Sequence, residues 1–231
     1  MSATHRHDEP VPPRPMESAL SISRGHNRNP SATKLRWCTP PGLYGFENQR
    51  VGGFGLDAAA EPTTALCESY LSPARFDCLT TPWAARCQRN RHGKLWAWFN
   101  PPWGPRHTAC PFGCASKVCI KRGWHHLDTF VGTGAFTRRA IVQAETLTGV
   151  VVLVPTAPDT SWWRELFTAS TDVRLLPRIA FCDADTGIAA ASPPGGGCTL
   201  FELRHGSPLS ARRVHLADEF GRDSHEQGTS G

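Results

Sequence analysis

The sequence predicts an α/β fold built on an open, mostly parallel β-sheet with an antiparallel C-terminal ending. Residues 150–154 read VVVLV, an uninterrupted aliphatic run that is typical of a parallel strand covered on both faces. Apolar residues at helical spacing precede and follow this run, so strands alternate with helices along the chain. In sheets of this kind, ligands bind outside the carboxyl ends of the strands.

Three elements are predicted in the first half of the chain. Residues 53–57 form a short apolar run that ends in an acid and is interpreted as the first core strand. Residues 62–70 are predicted as a helix with Leu66 and Tyr70 on one face. Residues 95–99 are predicted as a second strand, which must end at the two prolines that follow Asn100.

The second half alternates between helices and strands. Residues 159–161 offer N-cap candidates for a helix, and strands are predicted at 173–181 and 198–204. An earlier helix is expected to end before Gly149. Five apolar residues recur at helical spacing in that earlier helix: Phe136, Ala140, Ile141, Ala144 and Leu147.

The two ends of the chain differ in composition from its centre. Residues 1–33 are rich in proline and lack apolar periodicity, and residues 206–231 are polar and charged. Such segments bury too little apolar surface to offset the entropy of ordering, so both are predicted to be disordered tails. The folded domain is therefore expected to span residues 34–205.

Charge and cysteine usage limit the class of partner and the compartment. The formal net charge is +5, a mild excess of positive charge that favours a polyanionic partner. No apolar run approaches the length of a membrane span, and no hydrophobic leader is present at the N-terminus. The nine cysteines are expected to be reduced thiols in a soluble, cytoplasmic protein.

The stretch LWAWFNPPWGP at residues 95–105 contains the candidate catalytic residues. An Asn side-chain oxygen and a proline carbonyl can each accept one N–H of an exocyclic aromatic amine, which favours the pyramidal nitrogen of a transition state. Two prolines keep these acceptors rigid, and an adjacent aromatic ring can stack on a flipped base. Asn100, Pro101, Pro102 and Trp103 are therefore candidate catalytic residues. The alternative is a Pro-Pro turn with Trp103 covering the core.

Six short blocks follow one another along the chain: WCTP at 37–40, FGLDAAA at 54–60, DCL at 77–79 with Trp83, NPPW at 100–103, LVP at 153–155 with DT at 159–160 and WW at 162–163, and RIAF at 178–181. In this order they resemble the phage-type DNA N-6-adenine-methyltransferase (Dam-like) family. Each block is short, but their order is fairly specific. Together they cover most of residues 37–204.

The resemblance implies a Rossmann-like class I methyltransferase fold that uses S-adenosyl-L-methionine as its cofactor. It implies that Asp57, with Ala58, lies near the methionine or ribose end of the cofactor and that Asp77 lies near its adenine. Thr39 and Pro40 would border its carboxylate end. Double-stranded DNA is the implied partner, and the cytoplasm of a phage-infected or prophage-bearing cell is the implied location. Methyl transfer would be direct, without a covalent enzyme intermediate.

Trp103 and the cysteine-containing segment at residues 106–131 depart from the family pattern. Trp103 stands where Tyr or Phe is usual; its indole stacks at least as well as a phenol ring but is larger. The segment at 106–131 is longer than the family pattern, and no metal is predicted in it because its cysteine spacing matches no common zinc knuckle. The zinc alternative uses four of Cys110, Cys114, Cys119, His125 and His126. The basic residues of this segment are candidates for contact with DNA phosphates: Lys117, Lys121 and Arg122.

Residues 130–134, FVGTG, match the cofactor-loop pattern of many amino-methyltransferases. The pattern requires a preceding strand, and residues 121–126 make a poor one. A turn that begins a helix is therefore the preferred interpretation.

Two other functions stay open at this level. The first is methyl transfer to a glutamine amide in a protein, which would use the same Asn-Pro-Pro acceptors. The second is a methyltransferase-like nucleic-acid-binding protein without turnover. The recognised DNA sequence, the oligomeric state and the biological role, protection or regulation of a genome, are not predicted.

Overall fold

A computed structural model describes residues 37–106, 108–110, 114–115, 129–183, 188, 196–206 and 213–223. The predicted N-terminal tail and the predicted domain start at residue 34 lie outside the described residues. So do six residues discussed for zinc or phosphate binding: Lys117, Cys119, Lys121, Arg122, His125 and His126.

The main sheet confirms the predicted α/β class. Its six strands in the described part of the chain are, in spatial order, β2 (Leu56–Asp57), β3 (Trp96–Phe99), β4 (Gly149–Pro155), β7 (Cys198–Arg204), β5 (Asp172–Leu176) and β8 (Arg213–Leu216). β7 is antiparallel to both of its neighbours, and the other neighbouring pairs are parallel. The antiparallel element predicted near the C-terminus is therefore β7, which lies inside the sheet. A separate antiparallel pair joins β1 (Trp37–Cys38) to β6 (Cys182–Asp183).

Three helices are described: α1 (Pro41–Val51), α2 (Thr133–Ala144) and α3 (Ser161–Ala169). α2 and α3 confirm the predicted helical spacing, although α2 ends five residues before Gly149. α1 was not predicted. It begins with a proline at its first position and ends at Gly52, whose φ of 81° is the left-handed conformation that favours glycine. Within the described ranges, no helix has the length and apolar character needed to cross a membrane.

The helix predicted at residues 62–70 is wrong. These residues form turns, and Tyr70 makes one parallel bridge to Asp57 at the tip of β2. The Asp57 carboxylate accepts the backbone N–H of Leu66 at 3.1 Å, and Thr64 N–H donates to the carbonyl of Glu61 at 3.0 Å. These contacts use backbone donors that a helix would have paired along its own axis, so tertiary contacts override the apolar spacing.

The sheet is covered on both faces, as the aliphatic run predicted. Val150 and Val152 of β4 pack with α2 and α3 on one face, whereas Val151 and Leu153 pack toward α1 on the other. All four side chains are fully buried. This double cover fixes the register of β4, because a one-residue slip would exchange the two sets of side chains.

The sheet extends beyond the predicted boundary at residue 205. Residues 213–216 form β8, parallel to β5, although the sequence predicted a disordered tail from 206 onward. β8 exposes about half of Val214 and therefore lacks a strong apolar signal. Backbone pairing at a sheet edge needs no such signal, and His215 Nε2 also lies 3.0 Å from the Asp172 carboxylate.

A buried ion network joins α1 to the sheet. Glu47 of α1 is fully buried and contacts Arg174 of β5, which exposes 2% of its side chain. Arg50 bonds Glu47 at 2.8 Å and Glu202 of β7 at 2.5 Å. Because these charged groups are removed from water, the ion pairs must compensate the free energy lost on desolvation of each charge.

Replacing Glu47 by Ala should destabilise the fold by about 3–5 kcal/mol, because it leaves Arg174 under-compensated in the interior. Urea denaturation of the variant and of wild type measures the loss. The matched control is Glu165→Ala, which breaks the exposed pair with Arg138 and should cost about 0–1 kcal/mol. Equal losses in the two variants would contradict the assignment of Glu47 to a buried network.

Candidate active site

A cavity of about 620 Å³ opens at the carboxyl ends of β2 and β3, where ligands bind in open α/β sheets. Seven of the nine predicted site residues line it: Thr39, Asp57, Asp77, Asn100, Pro101, Pro102 and Trp103. The other two do not. Ala58 is buried with its N–H bonded to the Trp98 carbonyl, and Pro40 caps α1, where its carbonyl accepts the Tyr44 N–H.

Asn100 follows β3 directly, and hydrogen bonds hold the nitrogen of its side-chain amide. Its Nδ2 donates to the Trp37 carbonyl and to Thr39 Oγ1, each at 3.2 Å. A backbone carbonyl can only accept, so the nitrogen of the amide must face Trp37. The amide oxygen therefore lies on the opposite edge of the amide from these partners, and Asn100 lines the cavity. This geometry presents an acceptor to a ligand.

Thr39 lies against Asn100, where the resemblance implied a contact with the cofactor's carboxylate end. Its hydroxyl oxygen is buried and also accepts the indole N–H of Trp98 at 3.2 Å. The two donors occupy the lone pairs of this oxygen, while its O–H hydrogen stays available to an acceptor. Thr39 therefore holds Asn100, and its side chain also lines the cavity.

Trp103 belongs to an aromatic cluster. Its ring meets Trp37 at 6.0 Å and Phe181 at 4.8 Å, both nearly perpendicular, while Trp37 and Phe181 stack on each other at 5.7 Å. These arrangements match the preferred geometries of aromatic pairs. Among the described residues, no acceptor is present for the buried Nε1–H of Trp103. The ring is thus oriented by packing rather than by a hydrogen bond, and it still lines the cavity.

Asp57 ends β2 and is the most buried acid of the cavity, with 3% of its surface exposed. Burial raises the pKa of this carboxyl from 3.8 to about 6, although hydrogen bonds from the N–H groups of Leu66 and Ala59 oppose the shift. The carboxylate therefore organises the following loop while it borders the cavity. It also changes charge close to neutral pH.

Asp77 borders the cavity from an exposed turn. Its Oδ1 accepts the N–H of Leu79 at 2.9 Å, which leaves the second carboxylate oxygen available to a ligand. The turn is anchored through Trp83, whose indole N–H donates to the Cys78 carbonyl at 2.9 Å. The backbone N–H of Trp83 in turn donates to Gln143 of α2 at 2.6 Å. The position of Asp77 is thus tied to the core.

Several residues of the cavity wall were not predicted as site residues from the sequence. The wall includes Trp37, Glu61, Ser72, Phe130, Val131 and Phe136. Trp37 was noted only as part of the WCTP block, and the signal available for Phe130 and Val131 was the FVGTG pattern. Gly132 of that pattern has a φ of 84° and precedes the first residue of α2. The pattern therefore forms a turn that begins a helix, which is the interpretation that the sequence favoured.

The described residues contain no group of three or more His, Cys, Asp or Glu side chains arranged to hold a metal ion. Cys110 and Cys114 are described, but the zinc alternative also needs residues outside the described part of the chain.

Sequence comparison identifies the family. A profile of the DNA N-6-adenine-methyltransferase (Dam) family matches residues 26–216, which include every strand of the sheet and the whole described cavity wall. The chain belongs to the DNA N-6-adenine-methyltransferase family. It is 26% identical over 202 residues to the DNA N-6-adenine-methyltransferase of Escherichia phage T1, a match that spans 80% of this chain and 69% of the relative.

A solved structure is also similar to this Dam family member. It is the type I restriction-modification system methyltransferase subunit of Streptococcus thermophilus, with 16% identity and a TM-score of 0.36. The match covers 79% of the Dam family chain and 47% of the subunit, so the chain spans about half the length of that protein.

Proposed function

We propose that this Dam family member transfers the methyl group of S-adenosyl-L-methionine to the exocyclic amine of a flipped adenine in double-stranded DNA. The observation that carries the proposal is the orientation of Asn100. Its Nδ2 is committed to Trp37 and Thr39, so its oxygen is presented as an acceptor. An amine with two N–H donors is the matching substrate group, whereas a carbonyl would meet a lone pair.

The size of the cavity and the hydrogen-bond acceptors in its wall support S-adenosyl-L-methionine as the cofactor. Its volume lies within the range of small-molecule sites, and its wall combines aromatic and apolar side chains with the acids Asp57, Glu61 and Asp77. Carboxylates suit the hydroxyl and amine groups of S-adenosyl-L-methionine. Asp57 and Asp77 are therefore proposed to hold it. When bound, this cofactor supplies an electrophilic methyl group on a positively charged sulfur.

Residues 100–104, called the catalytic loop from here on, are proposed to act on the adenine. The Asn100 oxygen and the Pro101 carbonyl each accept a hydrogen bond from one N–H of the amine and favour the pyramidal nitrogen, which is differential binding of the transition state. The two prolines lack N–H groups and have fixed φ, so the acceptors need little reorganisation. Trp103 stacks on the extruded base, an interaction worth about 1–3 kcal/mol. Direct attack of this nitrogen on the methyl carbon would form the C–N bond as the C–S bond of the cofactor breaks, with S-adenosyl-L-homocysteine as the leaving group and the released amine proton passing to solvent. No cysteine is needed as a nucleophile.

The experiment that tests the proposal follows labelled methyl groups from S-adenosyl-L-methionine into unmethylated duplex DNA. We expect the label to be recovered as N6-methyladenine after digestion to nucleosides. Cofactor binding without transfer to DNA would contradict the substrate assignment, and label in added protein would replace it with a glutamine substrate. Absence of cofactor binding would contradict the enzymatic proposal altogether.

A further inference from the structure

The first turn of α2 lies against the catalytic loop. Thr133 is the first residue of this helix, exposes 4% of its surface and contacts Gly104, the residue that follows Trp103. Its hydroxyl oxygen accepts the Gly104 N–H at 2.9 Å, and its own backbone N–H donates to the Gly104 carbonyl at 3.0 Å. Both polar groups of the Gly104 backbone are thus bound by one residue.

The same hydroxyl reaches further back along the loop. Its single hydrogen can be donated to the Gly104 carbonyl at 3.2 Å or to the Pro102 carbonyl at 3.5 Å. Pro101, Pro102 and Pro105 have no N–H, so between residues 101 and 105 only Trp103 and Gly104 carry backbone donors. Thr133 holds one of these two donors.

The backbones pack closely around this contact. A Cβ on Gly132 would lie 2.8 Å from the Arg106 nitrogen, and a Cβ on Gly104 would lie 3.2 Å from the Phe130 ring. Glycine at 132 lets the backbone before the helix approach the backbone of Arg106, and glycine at 104 leaves room for the Phe130 ring.

We infer that Thr133 is a positioning residue that latches the C-terminal end of the catalytic loop. Asn100 is pinned at the loop's start by Thr39 and Trp37, and Gly104 is pinned at its end by Thr133. With both ends fixed and two prolines between them, Trp103 and the proline carbonyls keep one arrangement. This inference rests on the proposed function, in which those groups meet the flipped base, and it gives the FVGTG segment a role outside cofactor binding.

The test compares Thr133→Val, Thr133→Ser and Thr137→Val. Thr137 lies one turn later in α2 and is buried like Thr133, but its hydroxyl donates to the Gly134 carbonyl within the helix at 3.1 Å. Loss of the latch should lower kcat for DNA methylation by about 10- to 100-fold, since small misplacements of reacting groups have effects of this size. Cofactor Kd should change less than about threefold, because its proposed ligands are held by other contacts. Thr133→Ser should restore kcat, and Thr137→Val should leave it unchanged.

A second readout does not depend on activity. Hydrogen exchange of the Gly104 amide, followed by NMR, should speed up by about tenfold or more in Thr133→Val and stay at the wild-type rate in the Ser and Thr137 variants. If the Thr133→Val variant does not fold, Thr133→Ala takes its place, because it removes the same hydroxyl. Unchanged Gly104 exchange would overturn the latch whatever the enzyme methylates, as would a kcat per folded molecule equal to wild type. Failure of wild type to methylate DNA would instead defeat the proposed function, while the exchange experiment would still decide the latch.

Discussion

Replacing Asn100 by Ala should lower kcat for methyl transfer to DNA by about 10²- to 10³-fold, the loss typical when one preorganised polar group is removed from a transition state. Asn100 carries the only side-chain hydrogen-bond acceptor of the catalytic loop, and the variant loses it. In wild type, Trp37 and Thr39 fix the orientation of the Asn100 amide. Cofactor affinity should change little, because the proposed cofactor ligands Asp57 and Asp77 lie on other segments. Single-turnover methylation and calorimetric titration of the cofactor separate the two quantities.

Asn100→Asp provides the graded control. The carboxylate can still accept an amine N–H, but it can no longer donate to the Trp37 carbonyl or to Thr39. We therefore expect activity between those of wild type and the Ala variant. An Ala variant that methylates DNA at the wild-type rate would show that Asn100 only ends a strand.

Cofactor affinity should fall when the solution is acidified through about pH 6. Burial raises the pKa of Asp57 to about 6, so the free protein holds this group protonated below that pH. If the carboxylate binds S-adenosyl-L-methionine, Kd should rise about tenfold between pH 7 and pH 5 by proton linkage. Calorimetric titrations across this range measure the change.

Asp57→Asn is the matched variant, because it carries no charge at any pH. It should bind the cofactor more weakly at pH 7, and its Kd should depend less on pH than that of wild type. Any titration of the cofactor itself is common to both proteins and cancels in the comparison. Parallel pH profiles in the two proteins would exclude Asp57 as the group that titrates.

The same carboxyl influences folding. Its pKa in the folded protein, about 6, lies above its usual 3.8, so between these values the folded state binds the proton more tightly than the unfolded state. The contribution of Asp57 to the unfolding free energy is therefore present at low pH and is lost as the pH rises through about 6. Denaturation of wild type and Asp57→Asn at pH 4 and pH 7 would reveal this difference.

The elements that were predicted well carry local signals. β4 and β7 are runs of buried residues, and β3 must end where two prolines follow Asn100. α1 was missed because its sequence, PGLYGFENQRV, contains two glycines and few apolar residues at helical spacing. β8 was missed because an edge strand is held by backbone bonds and carries a half-exposed Val214.

The sequence by itself determined the α/β class and the rigid Asn-Pro-Pro-Trp loop, because these depend on residue type and short spacing, and its resemblance to the family pointed to the acids at 57 and 77. Only the tertiary structure decided how they work together. Thr39 is 61 residues from Asn100, and Thr133 is 29 residues from Gly104. Such hydrogen bonds exist only after the sheet has brought distant segments together, so no local pattern encodes which way an amide points or what holds a loop in place.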